Sequence, residues 1–373
     1  MRAVEACEGL ADTDTVRCML ANGLERAGEV FALYRAEQAI ERAYLRKAHQ
    51  IAARGDARSL LAAAHILPFA EASAWSNGTT LERRPKAIEW LVRAQRSGRD
   101  DPLVQWGVMA FRDFGAEPVA TSREARAAAI ERLLALDPDN AAVHLLSVQS
   151  ASSAQQSPAM PSNASLEASA FQRLAARPRY FNHAPGVATL ILDALRDMPT
   201  EPAFRAAALL SDRDHATATH CASDADILLS SHLMIATGAA NATSPAFFAG
   251  MPCKEEAMAS DDRLRRNCLA FSRRLHATAT TIFERSMGAG IARRAASSAA
   301  ERAHWQNQCR RQRWQVEQYA RAMRAIDPYL YRRILAQGWR SGDEVSGMET
   351  VLDEAGIPLE PPANWTFPGE PSR

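Results

Sequence analysis

Hydrophobic positions recur every three to four residues along most of this chain, and nowhere do they alternate long enough to make a half-buried strand. Between positions 44 and 148 one pattern comes three times: an apolar helical stripe, a short polar break, and a second stripe. Tyr44-Leu45-Arg46-Lys47-Ala48 leads through Gly55-Asp56 to Leu60 and Ala64. Trp90 to Ala94 leads through Asp101-Pro102 to Trp106 and Ala110, and Leu133 to Pro138 leads through Asn140 to His144 and Val148. Leu45 and Leu91, Ala48 and Ala94, and Leu60 and Trp106 each lie 46 positions apart, while Trp106 and His144 lie 38 apart. Similar hairpins are thus joined by loops of unequal length. A single hairpin of this kind cannot bury its apolar face alone and stacks on its neighbours. The pattern predicts an all-α fold, an irregular α-α hairpin array in the form of a solenoid or a helical bundle.

Turn chemistry sets the boundaries. Residues 3–28 predict a first helical pair and 29–53 a long helix carrying Phe31, Tyr34, Ile40 and Tyr44; Gly55 is placed to end it and Asp56 to cap the next. Further helices are expected over 166–176, 187–197, 204–210, 224–236, 261–286 and 299–326, with Gly288-Ala289-Gly290 read as a break between helices. Ser150 to Ser165 is the low-complexity stretch. It reads either as a flexible connection or as a long loop inside one continuous array. The division is 1–149, helical hairpins; 150–165, linker or loop; 166–356, an Arg-rich helical region; and 357–373, a proline-rich tail extended along the surface.

Some of these residues carry a family resemblance. Ala87, Trp90, Ala94, Gly98 and Gly107 resemble the Sel-like variant of the tetratricopeptide repeat. Ala135-Leu136-Asp137-Pro138-Asp139-Asn140-Ala141 is similar to the junction that closes a tetratricopeptide unit, and Ala325-Ile326-Asp327-Pro328-Tyr329 repeats it. The resemblance covers about a third of the chain. It implies a concave protein-binding surface and no catalysis, and it transfers no binding residue.

Composition adds that the 373 residues, 47% of them apolar and 23% charged, fall within the globular range. Lysine occurs only at 47, 86 and 254, so arginine supplies 41 of the 44 basic residues, a bias expected of a GC-rich bacterial genome. The net charge of +1 is unevenly spread: between Arg263 and Arg340, 17 arginines face four acidic residues, a local charge of +13, which leaves −12 on the remainder. The two parts can face each other, or the basic one can receive an anionic partner. The longest uncharged stretch, 227–253, holds His232, Asn241, Pro245 and many Ser and Thr, so no membrane span is expected.

Six cysteines, at 7, 18, 221, 253, 268 and 309, form no C-x-x-C. Cys7 with Cys18 and Cys253 with Cys268 would pair in an oxidising compartment. No apolar leader follows Met1, so the expectation is reduced thiols in the cytoplasm, or a periplasmic protein if an export signal lies upstream of Met1.

Candidate chemistry is sparse. Asp212, Asp214, His215, His220, Cys221, Asp224 and Asp226 form the densest metal-competent group, with His215, His220, Cys221 and Asp224 as its best ligands. His215 and His220 are five apart, whereas a helical metal pair wants four, and the plainer reading is a polar loop with capping aspartates. On 299–326, Trp305, Cys309, Gln312, Val316, Ala320 and Met323 trace the stripe expected to be buried. Arg310, Trp314 and Arg321, with Arg313 beside them, form a second face that could hold a phosphate, a single-stranded base or a partner. The plainer reading is that these arginine stems cover apolar neighbours. Nucleophile elbows, phosphate loops, dinucleotide fingerprints and H-E-x-x-H are absent from the sequence. The expectation is a non-enzymatic scaffold for protein–protein interaction without cofactors. Its alternatives are a helical enzyme or metal protein using the Asp212–His232 region, and anion or nucleic-acid binding through 263–340. Nucleic acid ranks below a protein partner because a pI near 7.7 is low for that role.

Overall fold

The computed structural model describes residues 27–69, 79–111, 120–154, 171–211, 222–241, 253–325 and 328–366. The named elements among them are all helices, and an isolated parallel bridge joins Asn140 to Arg179. The fold is all-α.

Helix α1 (Ala27–Ala52) ends at Arg54-Gly55-Asp56. Gly55 takes φ +78°, which a Cβ would make costly, and Asp56 caps α2 (Ala57–Phe69) by accepting from the Ser59 amide at 2.9 Å. Leu60 to Ala64, Ile66 and Leu67 are all buried, so α2 is apolar on nearly every side and sits inside, between α1 and α3 (Thr79–Ser97). In α4 (Pro102–Ala110), Asp101 caps the first turn and the buried Gln105 donates back to the Gln95 and Gly98 carbonyls at 3.0 and 2.8 Å, closing the end of α3. Gly107 permits close approach to α2: a Cβ there would lie 2.5 Å from Leu61 Cδ2, and its carbonyl meets His65 Nε2 at 2.9 Å. Helices α5 (Ala120–Leu136) and α6 (Ala141–Ala154) make the third pair. Residues 150–154, expected in the linker, are the last turn of α6, and 155–165 lie outside the described residues.

Helix α7 (Ala184–Leu195) is the centre of the molecule. Its buried Val187, Ile191, Leu192 and Leu195 are worth about 2 kcal/mol each by transfer from water. α7 lies against α2 and α4 on one side and against α9 (Asp224–Asn241) and the later α14 (Pro328–Arg340) on the other, while α8 (Pro202–Ser211) lines α1. One hydrophobic cluster therefore runs from Ala43 on α1 to Trp339 on α14, with both sides of the low-complexity stretch in a shared core.

The C-terminal helices are α10 (Glu255–Ser260), α11 (Asp262–Thr278), α12 (Ile282–Ala295), α13 (Ala299–Ala325), α14 and α15 (Glu344–Glu354). Two expectations are corrected here. The helix expected over 261–286 is divided, because Thr281 turns its hydroxyl to the Glu284 amide and starts α12 there. Gly288 does not break a helix: it lies within α12 at its contact with α11, where a Cβ would stand 2.7 Å from the His276 backbone nitrogen. The cysteine expectation is corrected too, since Cys253 and Cys268, both fully buried, form a disulfide that ties the approach to α10 to the middle of α11. Cys309 is a half-buried free thiol whose pKa burial pushes up, and Cys7, Cys18 and Cys221 lie outside the described residues.

What holds the basic helices on the hairpins is the extended segment 179–183, whose alternate side chains face opposite ways. On one side, Arg179 pairs with the buried Asp137, and His183 stands 3.6 Å from the same carboxylate, an ion-pair distance too long for a hydrogen bond. Burial outweighs that carboxylate and lowers the His183 pKa. The fully buried Asn140 completes the clasp, donating to Asp137 Oδ2 and the Phe181 carbonyl, both at 2.9 Å, and accepting from the Phe181 and Ala142 amides at 2.9 and 3.1 Å. On the other side, the Tyr180 hydroxyl and the Asn182 amide donate to the buried Glu284 of α12 at 2.5 and 2.8 Å. The Leu-Asp-Pro-Asp-Asn junction is thus one anchor through which α12, and α13 behind it, is positioned, beside the α15 carboxylates Glu344 and Glu349 that meet Ile282 and Arg285 of α12.

Candidate binding face on helix α13

α13 is polar over most of its surface, and its start is fixed by local chemistry. Ser298 accepts from the Glu301 amide at 3.1 Å, and the Glu301 carboxylate accepts from the Ser297 amide at 3.1 Å, a reciprocal cap. Trp305 then anchors it in a small second core with Ala289, Ala292 and Ala296. Gln312 is buried as expected, and the stripe departs from the expected one after it. Gln315, Gln318 and Ala322 are buried, while Val316 is 38% exposed and Ala320 is exposed; the Met323 side chain lies outside the described residues. Stepping by three residues instead of four turns this stripe toward glutamines, two of which are held by hydrogen bonds: Gln312 meets His276 Nδ1 at 3.1 Å, and Gln315 donates to the Leu359 carbonyl at 3.2 Å. Burial lowers the His276 pKa, so the imidazole facing Gln312 is neutral near pH 7.

The adjoining face is a row of hydrogen-bond donors. Arg310 donates to the carbonyls of Pro362 (2.6 Å), Ala363 (3.0 Å) and Trp365 (2.8 Å), and Trp314 Nε1 donates to the Pro358 carbonyl at 2.8 Å. Arg311 pairs with Glu360 at 3.0 Å. The Trp314 and Trp365 rings meet edge to face at 5.6 Å, and the Arg310 guanidinium stands 5.9 Å from the Trp365 ring centre. The acceptors all belong to 357–366, which runs antiparallel to α13. Gly356, at φ +66°, sets that direction where α15 ends, and the Ile357 amide returns to the Leu352 carbonyl at 2.8 Å.

The four basic-face candidates therefore part company. Arg310 and Trp314 converge on the tail, Arg321 turns to Glu317 one helical turn away, and Arg313 is exposed beside the row. Sequence reasoning missed Arg311, Gln315, Glu360 and Trp365. The available signal was the proline-rich tail itself, in which Pro358, Pro361 and Pro362 offer carbonyl acceptors without an N–H, following an Arg/Trp/Gln helix.

Of the four best metal candidates, Asp224 alone falls among the described residues. Asp224 is paired with Arg205 at 2.6 Å, and His215, His220 and Cys221 lie outside the described residues. Among the described residues no three His, Cys, Asp or Glu side chains converge so as to hold a metal. Nor is any helix among them long and apolar enough to cross a membrane.

No protein-family model matches this chain, and neither does any curated protein or solved structure.

Proposed function

We propose that this chain is a non-catalytic helical scaffold that holds another protein. One observation carries the reading: a row of side-chain donors on α13 grips an extended segment by its main-chain carbonyls, as a helical surface does when it binds a peptide. The tetratricopeptide-like hairpins α1 to α6 supply the platform in this reading, and their resemblance implies a protein-binding surface. In this reading the buried carboxylates Asp137 and Glu284 fasten that platform to α12, which their hydrogen bonds to Asn140, Tyr180 and Asn182 support.

The test is a photo-crosslinking amino acid at position 313, exposed beside the donor row, with position 256 on α10 as the exposed control. In the native host the account expects one dominant protein adduct at 313 that is absent at 256. Equal labelling at both positions, or none at 313, refutes it.

A separate observation bears on the compartment. A bridge between two fully buried cysteines supports an oxidising one. Thiol counting on denatured, unreduced protein should then find at least two fewer free thiols than the six cysteines of the sequence, whereas six would refute it.

A further inference from the structure

We propose that the face of α13 formed by Arg310, Arg311, Trp314 and Gln315 is a recognition groove for an extended proline-rich segment carrying one acidic and one aromatic residue, and that residues 357–366 occupy it as the chain's own stand-in for a partner's segment of that kind. The inference rests on the scaffold reading and gives its partner a chemistry.

The groove reads main-chain carbonyls. Its described hydrogen bonds to the tail end on carbonyl oxygens of Pro358, Leu359, Pro362, Ala363 and Trp365. These acceptors belong to the backbone, so another segment following the same path presents them equally. A proline-rich segment is the matching ligand for a row of donors. Pro358, Pro361 and Pro362 have no N–H to leave unsatisfied, and their fixed φ lowers the cost of holding the chain extended. Guanidinium, indole and carboxamide groups supply what such a strand lacks.

Side chains add a second layer of choice. Glu360 against Arg311 asks for an acid, and Trp365 against Trp314 and Arg310 asks for an aromatic ring five residues later. On α13 itself Arg310, Arg311 and Arg313 stand together along this face, which favours an acidic residue in the segment that lies on it.

The tail also lies on the surface, outside the core. No residue of 357–366 is buried; Ile357, Leu359, Pro361 and Trp365 are half-buried and the others exposed. The core ends at Val351 and Leu352 of α15, and Gly356 separates it from the strap. Releasing the strap uncovers a polar row and a tryptophan edge and leaves the clusters beneath intact. A tethered ligand of this kind competes at high effective concentration, so a partner segment must bind well or arrive with further contacts.

The experiment uses the full chain and a fluorescein-labelled peptide of residues 355–366, read by fluorescence anisotropy. The tail is weakened in place by Glu360→Lys with Trp365→Ala. This variant should bind the peptide at least ten-fold more tightly than the unaltered chain. Adding Trp314→Phe, which keeps the ring and removes its N–H, or Arg310→Gln should abolish the gain, and a peptide with Lys in place of Glu360 should bind at least ten-fold more weakly. Equal binding to the unaltered and tail-weakened chains, no binding to the latter at millimolar peptide, or displacement of the peptide by a single-stranded oligonucleotide each overturns the proposal. A partner whose crosslinking at position 313 is not suppressed by unlabelled peptide added before irradiation overturns this inference and leaves the scaffold standing. Failure to find any partner overturns the scaffold reading and this inference with it.

Discussion

Replacing Asn140 by Ala should loosen both halves of the molecule, because Asn140 is the side chain through which the α5–α6 junction holds the 179–183 segment. Its amide makes four hydrogen bonds in full burial: one to the Asp137 carboxylate, two to the Phe181 main chain and one to the Ala142 amide. Three are neutral bonds worth about 1 kcal/mol each, and the bond to the carboxylate about 2 kcal/mol. A water entering the vacated space recovers some of this, which leaves a loss of about 4 kcal/mol. At 1.4 kcal/mol per factor of ten, that is close to a thousand-fold loss of hydrogen-exchange protection at the Phe181 and Ala142 amides. Because Tyr180 and Asn182 of the same segment hold Glu284, the first turn of α12 should lose protection as well, and Asn140→Ala combined with Asn182→Ala should show coupling above about 0.5 kcal/mol. Asn140→Asp separates hydrogen bonding from volume. It sets a second carboxylate against Asp137, so at pH 7 it should be worse than Ala and should recover as the pH falls toward 4. Unchanged protection at Phe181 in Asn140→Ala, or a loss confined to α6, would refute the idea that this segment couples the two halves.

Other consequences are equally open to measurement. Burial lowers the pKa of His65 to about 4 and of His232 to about 3. The unfolded chain therefore takes up protons first: their contribution is complete above about pH 6.5 and is lost as the pH falls toward 4, by roughly 4 kcal/mol for the pair at pH 5. Denaturant midpoints across pH should show this slope, and His65→Gln should remove about half of it; a flat profile from pH 7 to 5 contradicts the burial of both. Opening the Cys253–Cys268 bridge, which spans 15 residues, should cost about 3 kcal/mol, with exchange rising first around α10 and α11; unchanged stability of the double serine variant counts against it. Gly288→Ala should destabilise more than Gly107→Ala, by about 2 kcal/mol, since the new methyl meets the rigid backbone of His276 in one case and the movable end of Leu61 in the other. The reverse order would show that α11 and α12 can separate freely.

Much of the helical architecture is legible in the sequence because local chemistry decides it. Gly55 and Asp56 terminate and cap as their residue types demand, and of the pairs 46 apart Ala48 and Ala94, and Leu60 and Trp106, are buried, while Leu45 is half-buried where Leu91 is buried. What was not legible depends on partners distant in the chain. Gly288 has the same local signature as a helix break, and only the backbone of α11 beside it reveals a packing role. Past Gln312 the buried stripe of α13 passes through Gln315 and Gln318, where hydropathy leads to Val316 and Ala320; the Leu359 carbonyl, which accepts from Gln315, favours the glutamine there. Arg310 and Trp314 stand out by composition, but their ligand is 44 to 55 residues further along the chain, so no window on the helix alone could reveal it.

The grip of α13 on an extended backbone is tested most directly at the Trp314 indole N–H, which donates to the Pro358 carbonyl at 2.8 Å. Its resonance, assigned by its disappearance in Trp314→Phe, should exchange with solvent at least ten-fold more slowly than an exposed indole, and it should speed up when Trp365→Ala and Glu360→Lys loosen the tail. Exchange at the free-indole rate in the unaltered chain would contradict the account.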